Sequence, residues 1–216
     1  MIRTKTLLMR VLLLATLGLA GHAAAADGCA SADDAKVIQH YYAKTRPGAP
    51  PPAVARLFRM KETAVVSALS AAQAYGVRSN RLFFEDVWKS VDAWGADTRI
   101  GIVFTSGGKH VWNFPSKVPQ TQSTSTPIWY DMYADNGDGV HGHITPAEVD
   151  QIWALQLPTK EADKFTRILG FYDRQGDLIV GLYVSEGVKP FDPKAVAGFE
   201  KTRELLKAQP RICSPG

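Results

Sequence analysis

The chain has 216 residues, 45% of them hydrophobic, and a formal charge of +4. Arg3, Lys5 and Arg10 precede an apolar run from Val11 to Ala20, and Ala24, Ala25 and Ala26 follow as the small residues a signal peptidase reads, so residues 1–26 are expected to be a cleaved leader. Its removal leaves 190 residues and a charge of +1, which excludes a basic nucleic-acid surface, leaves no run of membrane-spanning length, and suffices for one well-buried domain.

Ser31 to Lys44 reads as a helix, with Ser31 as its cap and Asp33 and Asp34 in the first turn, where the helix dipole favours negative charge. RPGAPPP, ending at Pro52, cannot continue a helix and reads as a stiff connector. Residues 27–52 are thus expected to form a helix and connector, 53–210 the main domain, and 211–216 a tail. From Pro52 to Gly76 apolar residues recur at three and four with a break near Lys61, which predicts two short helices. Phe84, Val87, Trp88, Val91 and Trp94 make the stripe of a further helix over 83–95, stopped by Gly95.

After Gly95 the period becomes two. Strands are predicted at 98–105, 109–114, 127–133, 149–157, 165–173 and 177–185. Gly107-Gly108, the Asn136-Gly137 pair and Arg174-Gln175-Gly176 supply turns, so the strands should pair mostly antiparallel. Residues 115–127 read as a long polar loop. Asp192 and Pro193 open a last helix with Val196, Phe199, Leu205 and Leu206 as buried candidates. The expected class is α+β: a large antiparallel β-sheet meander flanked by N-terminal helices and a C-terminal helix. Cys29 and Cys213 lie near the two ends, and an oxidising compartment would join them in a disulfide.

HGHITPAE places His141 and His143 two apart with Glu148 behind them. On a strand both imidazoles share a side and could meet one metal. Thr145 to Glu148 also fits a helix capping box, which gives Glu148 a structural task. Asp131, Asp135 and Asp138 do not have the spacing of a calcium loop. No G-x-S-x-G, HExxH, phosphate loop or CxxC occurs, so the sequence points away from an enzyme.

VWKSVDAWG (87–95), GHI (142–144) and ILGFYDRQGDLIVGLYV (168–184), in this order and at these separations, resemble the ChuX/HutX family of heme-utilisation carriers. Residues 54–70 fit that family's N-terminal helices, and the resemblance spans 54–207. It implies an α+β fold, a homodimer, and heme bound without turnover. The family's GHI histidine falls on His143, the expected axial ligand of the heme iron. A second family histidine falls on Phe104, which cannot ligate iron, so His110, His141 or Tyr130 is expected in its stead. Trp112, Trp129, Trp153, Phe171 and Tyr172 offer a flat aromatic wall, and Lys109 or Lys117 could meet the propionates. Family members are generally cytosolic, whereas the leader here implies a periplasmic or secreted heme carrier or buffer. The alternatives are a metal-dependent or heme-modifying enzyme built on His141, His143 and Glu148, and a ligand-free partner-binding module.

Overall fold

The computed structural model describes residues 28–107, 109–185 and 192–213; the expected leader and the last three residues lie outside them. Ser31 caps α1 (Ala32–His40), its hydroxyl accepting from the Asp34 N–H as expected. A π-helical turn, Tyr41–Thr45, continues it. Pro51 and Pro52 are not connector: they open α2 (Pro51–Phe58), in the first turn where a missing N–H leaves no bond unmade. Arg59 ends α2 in the left-handed region, and α3 (Glu62–Ser67) follows the expected break. α1, α2 and α3 pack into a single cluster through Ile38, Val54, Val65 and Val66.

The predicted second helix stops at α3. Ala74 to Gly76, expected as its end, instead open strand β1 (Ala74–Arg78). α4 (Arg81–Asp92) is capped by Asn80 and buries Phe84, Val87, Trp88 and Val91, the stripe read from the sequence. Then come β2 (Arg99–Ser106), β3 (His110–Lys117), β4 (Gln120–Thr121), β5 (Tyr130–Tyr133), β6 (His141–Ile144), β7 (Gln151–Pro158), β8 (Phe165–Tyr172), β9 (Leu178–Ser185) and α5 (Pro193–Lys207).

The class is α+β with a large antiparallel sheet, as expected, but the strands do not form one meander. Six make a sheet in the order β1-β7-β8-β9-β2-β3, and β4-β5-β6 make a separate small sheet. The expected strand at 127–133 therefore leaves the large sheet, and β1 takes a place at its edge.

The large sheet is covered on both faces. On one, Ile102, Ile152, Leu169 and Phe171 meet Trp88 of α4, Phe199 of α5, and Tyr130, Met132 and Ile144 of the small sheet. On the other, Trp153, Leu155, Ile168 and Tyr172 lie under α1 to α3. Double coverage explains why IWALQL and ILGFY read as nearly continuous apolar runs. Each buried aromatic or aliphatic side chain contributes roughly 1.5–3 kcal/mol.

Cys29 and Cys213 are bonded, with Cα atoms 5.5 Å apart. The C-terminal segment follows the outer side of β1. Ile212 N–H donates to Gly76 O at 2.9 Å, and Arg211 donates to Ala74 O at 3.3 Å and Leu69 O at 3.1 Å. Among the described residues no helix is long and apolar enough to cross a membrane.

Candidate functional site

The small sheet sorts its side chains by register. Tyr130 pairs with Ile144, Asp131 with His143, Met132 with Gly142 and Tyr133 with His141. Tyr130, Met132 and Ile144 belong to the core. Alternation along the strands then puts Asp131, Tyr133, His141 and His143 together on the outer face. The Tyr133 ring lies 5.4 Å from His141 and 6.1 Å from His143, and the two imidazoles are 6.0 Å apart.

His143 is held by a carboxylate. Its Nδ1 lies 2.7 Å from Asp131 Oδ1. The Asp131 side chain is 9% exposed and that of His143 51%. The Thr124 hydroxyl first, and the His143 ring second, donate to Asp131 and hold its carboxyl below the usual carboxylate range. Its backbone is fixed too: Asp131 N–H donates to the Ser125 hydroxyl at 3.0 Å, and Asp131 O accepts from Gln122 N–H at 2.9 Å. An ionised carboxylate only accepts, so Nδ1 carries the proton of a neutral His143 and Nε2 keeps its lone pair.

The other wall comes from the loop. The Thr126 hydroxyl accepts from Ile128 N–H at 3.2 Å and Trp129 N–H at 3.0 Å, a short turn that fixes Trp129, which stays 48% exposed. Thr126, Trp129, Asp131 and His143 line an open cleft of about 340 Å³, at the lower end of small-molecule sites. A second cavity lies between the sheets, lined by Trp88, Phe104, Met132, His141 and Leu182 among others. At about 30 Å³ it has room for about two waters, so a flat macrocycle fits only an open face.

The other predicted site residues divide between the sheets. Phe104 pairs with Trp112, Ile102 with Phe114 and Ser106 with His110, so His110, Trp112 and Phe114 share the face of Phe104 on the large sheet. The Phe104 and Phe114 rings are 6.4 Å apart. Tyr130, expected as a possible ligand, points inward. It is 6% exposed, its hydroxyl is 2.9 Å from that of Thr121, and its ring meets Phe84 edge-on at 5.2 Å. Burial, ahead of neighbouring charges, pushes its phenol up.

His141, His143 and Glu148 do not assemble. Among the described residues no three His, Cys, Asp or Glu side chains gather as a metal site requires. Nor does the capping box form: Glu148 ends a single 3-10 turn, Pro146–Glu148, and the Thr145 side chain makes no cap bond. Lys117 is occupied by Asp97 at 3.2 Å and Asp135 at 2.6 Å, and Asp131 by His143, so the acidic trio is split. Asp131 is the site residue that sequence reasoning missed. Only the pairing of β5 with β6 brings it opposite His143.

The family model for haem utilisation ChuX/HutX matches residues 77–201, more than half of the chain. The chain belongs to this family. The match to ChuX/HutX starts inside β1 and ends inside α5, so it holds both sheets and α4, while α1 to α3 precede it. Solved structures agree in fold. A protein from Erwinia carotovora is 18% identical with a TM-score of 0.60, over 82% of this chain and 98% of its own. The heme binding protein ChuX is 16% identical with a TM-score of 0.59, over 81% and 99%. The heme degrading enzyme ChuS of Escherichia coli O157:H7 is 13% identical with a TM-score of 0.58, over 82% of this chain but 48% of ChuS, so this chain spans about half of that enzyme. No curated protein matches the chain.

Proposed function

We propose that this protein is a periplasmic heme-binding carrier or buffer that holds the iron through Nε2 of His143. The observation that carries the reading is the His143 imidazole, pinned at Nδ1 by Asp131 beside exposed Trp129. Metal-bound histidines commonly donate their other ring N–H to a carboxylate, which fixes the tautomer and orients the ring. Heme, when bound, would supply an iron that accepts a nitrogen donor. The chain's part is to bind and orient it, with Trp129 as an apolar wall. ChuX, of the same fold, is described as a heme binding protein. His141, on the same face, and His110 beside Trp112 on β3 are proposed as further contacts, with Phe104 behind them as apolar support.

Export is supported by the leader expected from residues 1–26 and by the Cys29–Cys213 bond, which suits an oxidising compartment. A homodimer is supported by β3, the last strand of the large sheet, with Val111, Trp112 and Phe114 exposed. The same strip would serve a different protein partner, and light scattering of the purified chain separates the two.

The decisive experiment is a hemin titration of residues 27–216 followed at the Soret band. A saturable shift is expected, with His143→Ala weakening binding at least tenfold, about 1.4 kcal/mol. No shift in the unaltered protein, or an unchanged spectrum and affinity in His143→Ala, would sink the proposal. His141→Ala and His110→Ala in the same titration measure their shares.

A further inference from the structure

Asp131 is built into its place more firmly than an orienting group requires. Its side chain is 9% exposed, the Thr124 hydroxyl and the His143 ring both donate to it, and its backbone is tied to Ser125 and Gln122. Its charge therefore stands fixed behind the imidazole, partly shielded from solvent, where salt screens it less than an exposed charge. From this geometry we infer that Asp131 is a positioning residue that makes the His143 site favour ferric over ferrous heme. The inference rests on the reading of His143 as the iron ligand.

Two effects act in the same direction. Accepting the Nδ1–H leaves more electron density on the imidazole, so Nε2 becomes a stronger donor, and a stronger donor favours the more electron-poor iron. The carboxylate is also a negative charge one imidazole ring away from the metal, and its attraction for the cation grows with the metal's charge. Ferric heme carries one more positive charge at the iron than ferrous heme. Neither effect requires Asp131 to touch the iron; removing its charge with its shape preserved abolishes the second and weakens the first, because an amide oxygen accepts the Nδ1–H less strongly than a carboxylate.

The test has one arm without heme and one with it. In the heme-free protein, nitrogen-detected NMR of His143 should find the proton on Nδ1, and Asp131→Ala should shift it toward Nε2. In the hemin-loaded protein, Asp131→Asn keeps the side-chain outline and removes the charge. The ratio of ferric to ferrous affinity should fall about tenfold, read as a rise of about 59 mV in midpoint potential for one electron. Asp131→Glu, which restores the charge, should recover part of the shift. A proton on Nε2 of the unaltered, heme-free protein would overturn the inference. So would His143-dependent hemin binding whose potential ignores Asp131→Asn, an outcome that leaves the carrier function standing. If hemin does not bind at all, the function and this inference fall together.

Discussion

At the scale of single residues, Glu62 is a carboxyl buried with half of its hydrogen-bonding capacity unused. It is fully buried at the start of α3, away from the histidine face. Oε2 accepts from Leu178 N–H at 2.6 Å and from the Thr105 hydroxyl at 3.4 Å, while Oε1 has no partner among the described residues. Burial, only partly offset by the Leu178 N–H, raises its pKa. A carboxyl whose folded pKa exceeds its unfolded value contributes stability that is complete below the unfolded value, about 4.3, and is lost as pH climbs through the folded one. Glu62→Gln keeps an acceptor for Leu178 and removes the charge. It should abolish this decline and leave the protein at least as stable as the unaltered one at neutral pH. Urea midpoints of the two proteins across the acidic range check this; parallel curves would show that Glu62 does not set the slope.

At the scale of elements, the legible parts were those whose signal is local. α1 announced itself through Ser31, α4 through its apolar stripe, and the β7-β8-β9 run through long apolar segments joined by turns. β1 was hidden because Ala74 to Gly76 follow directly on the alanine-rich end of the apolar helical pattern, and the strand is only five residues long. β6 was hidden because HGHI has one core-facing apolar residue, Ile144. Which strands share a sheet depends on contacts far apart in sequence, and no periodicity records them. The site shows the same division. His143 stood out through GHI, but Asp131 lies twelve residues away across a turn, and a one-residue change of register would face it inward. Tyr130 is the converse case, an attractive ligand placed on the wrong side by that same alternation. β1 also carries a prediction. Gly76 pairs with Trp153, and a Cβ there would come within 2.2 Å of the indole. Trp153 is fully buried, so it has nowhere to move. Gly76→Ala should cost roughly 1–3 kcal/mol or more, as overpacking does, and lower the melting temperature.

At the scale of the whole molecule, the disulfide spans 184 residues. Closing a loop that long in the unfolded chain stabilises the fold by about 5 kcal/mol in the chain-entropy description. Reduction should therefore lower the denaturant midpoint sharply, and unreduced, denatured protein should titrate with no free thiol. The bond also sits at the root of the segment that runs along β1. With Ile212 donating to Gly76 O and Arg211 to Ala74 O, outward-facing carbonyls of that border strand are already taken. Among the described residues no strand pairs with the outer side of β3. In the dimer proposed above, joined through β3, the large sheet would keep no bare border and a third copy would find none to add to. On that proposal the bond between the two chain ends would limit valence: oxidised protein should stay at two copies across a dilution series, and reduced protein, its strap released, should scatter light increasingly with time.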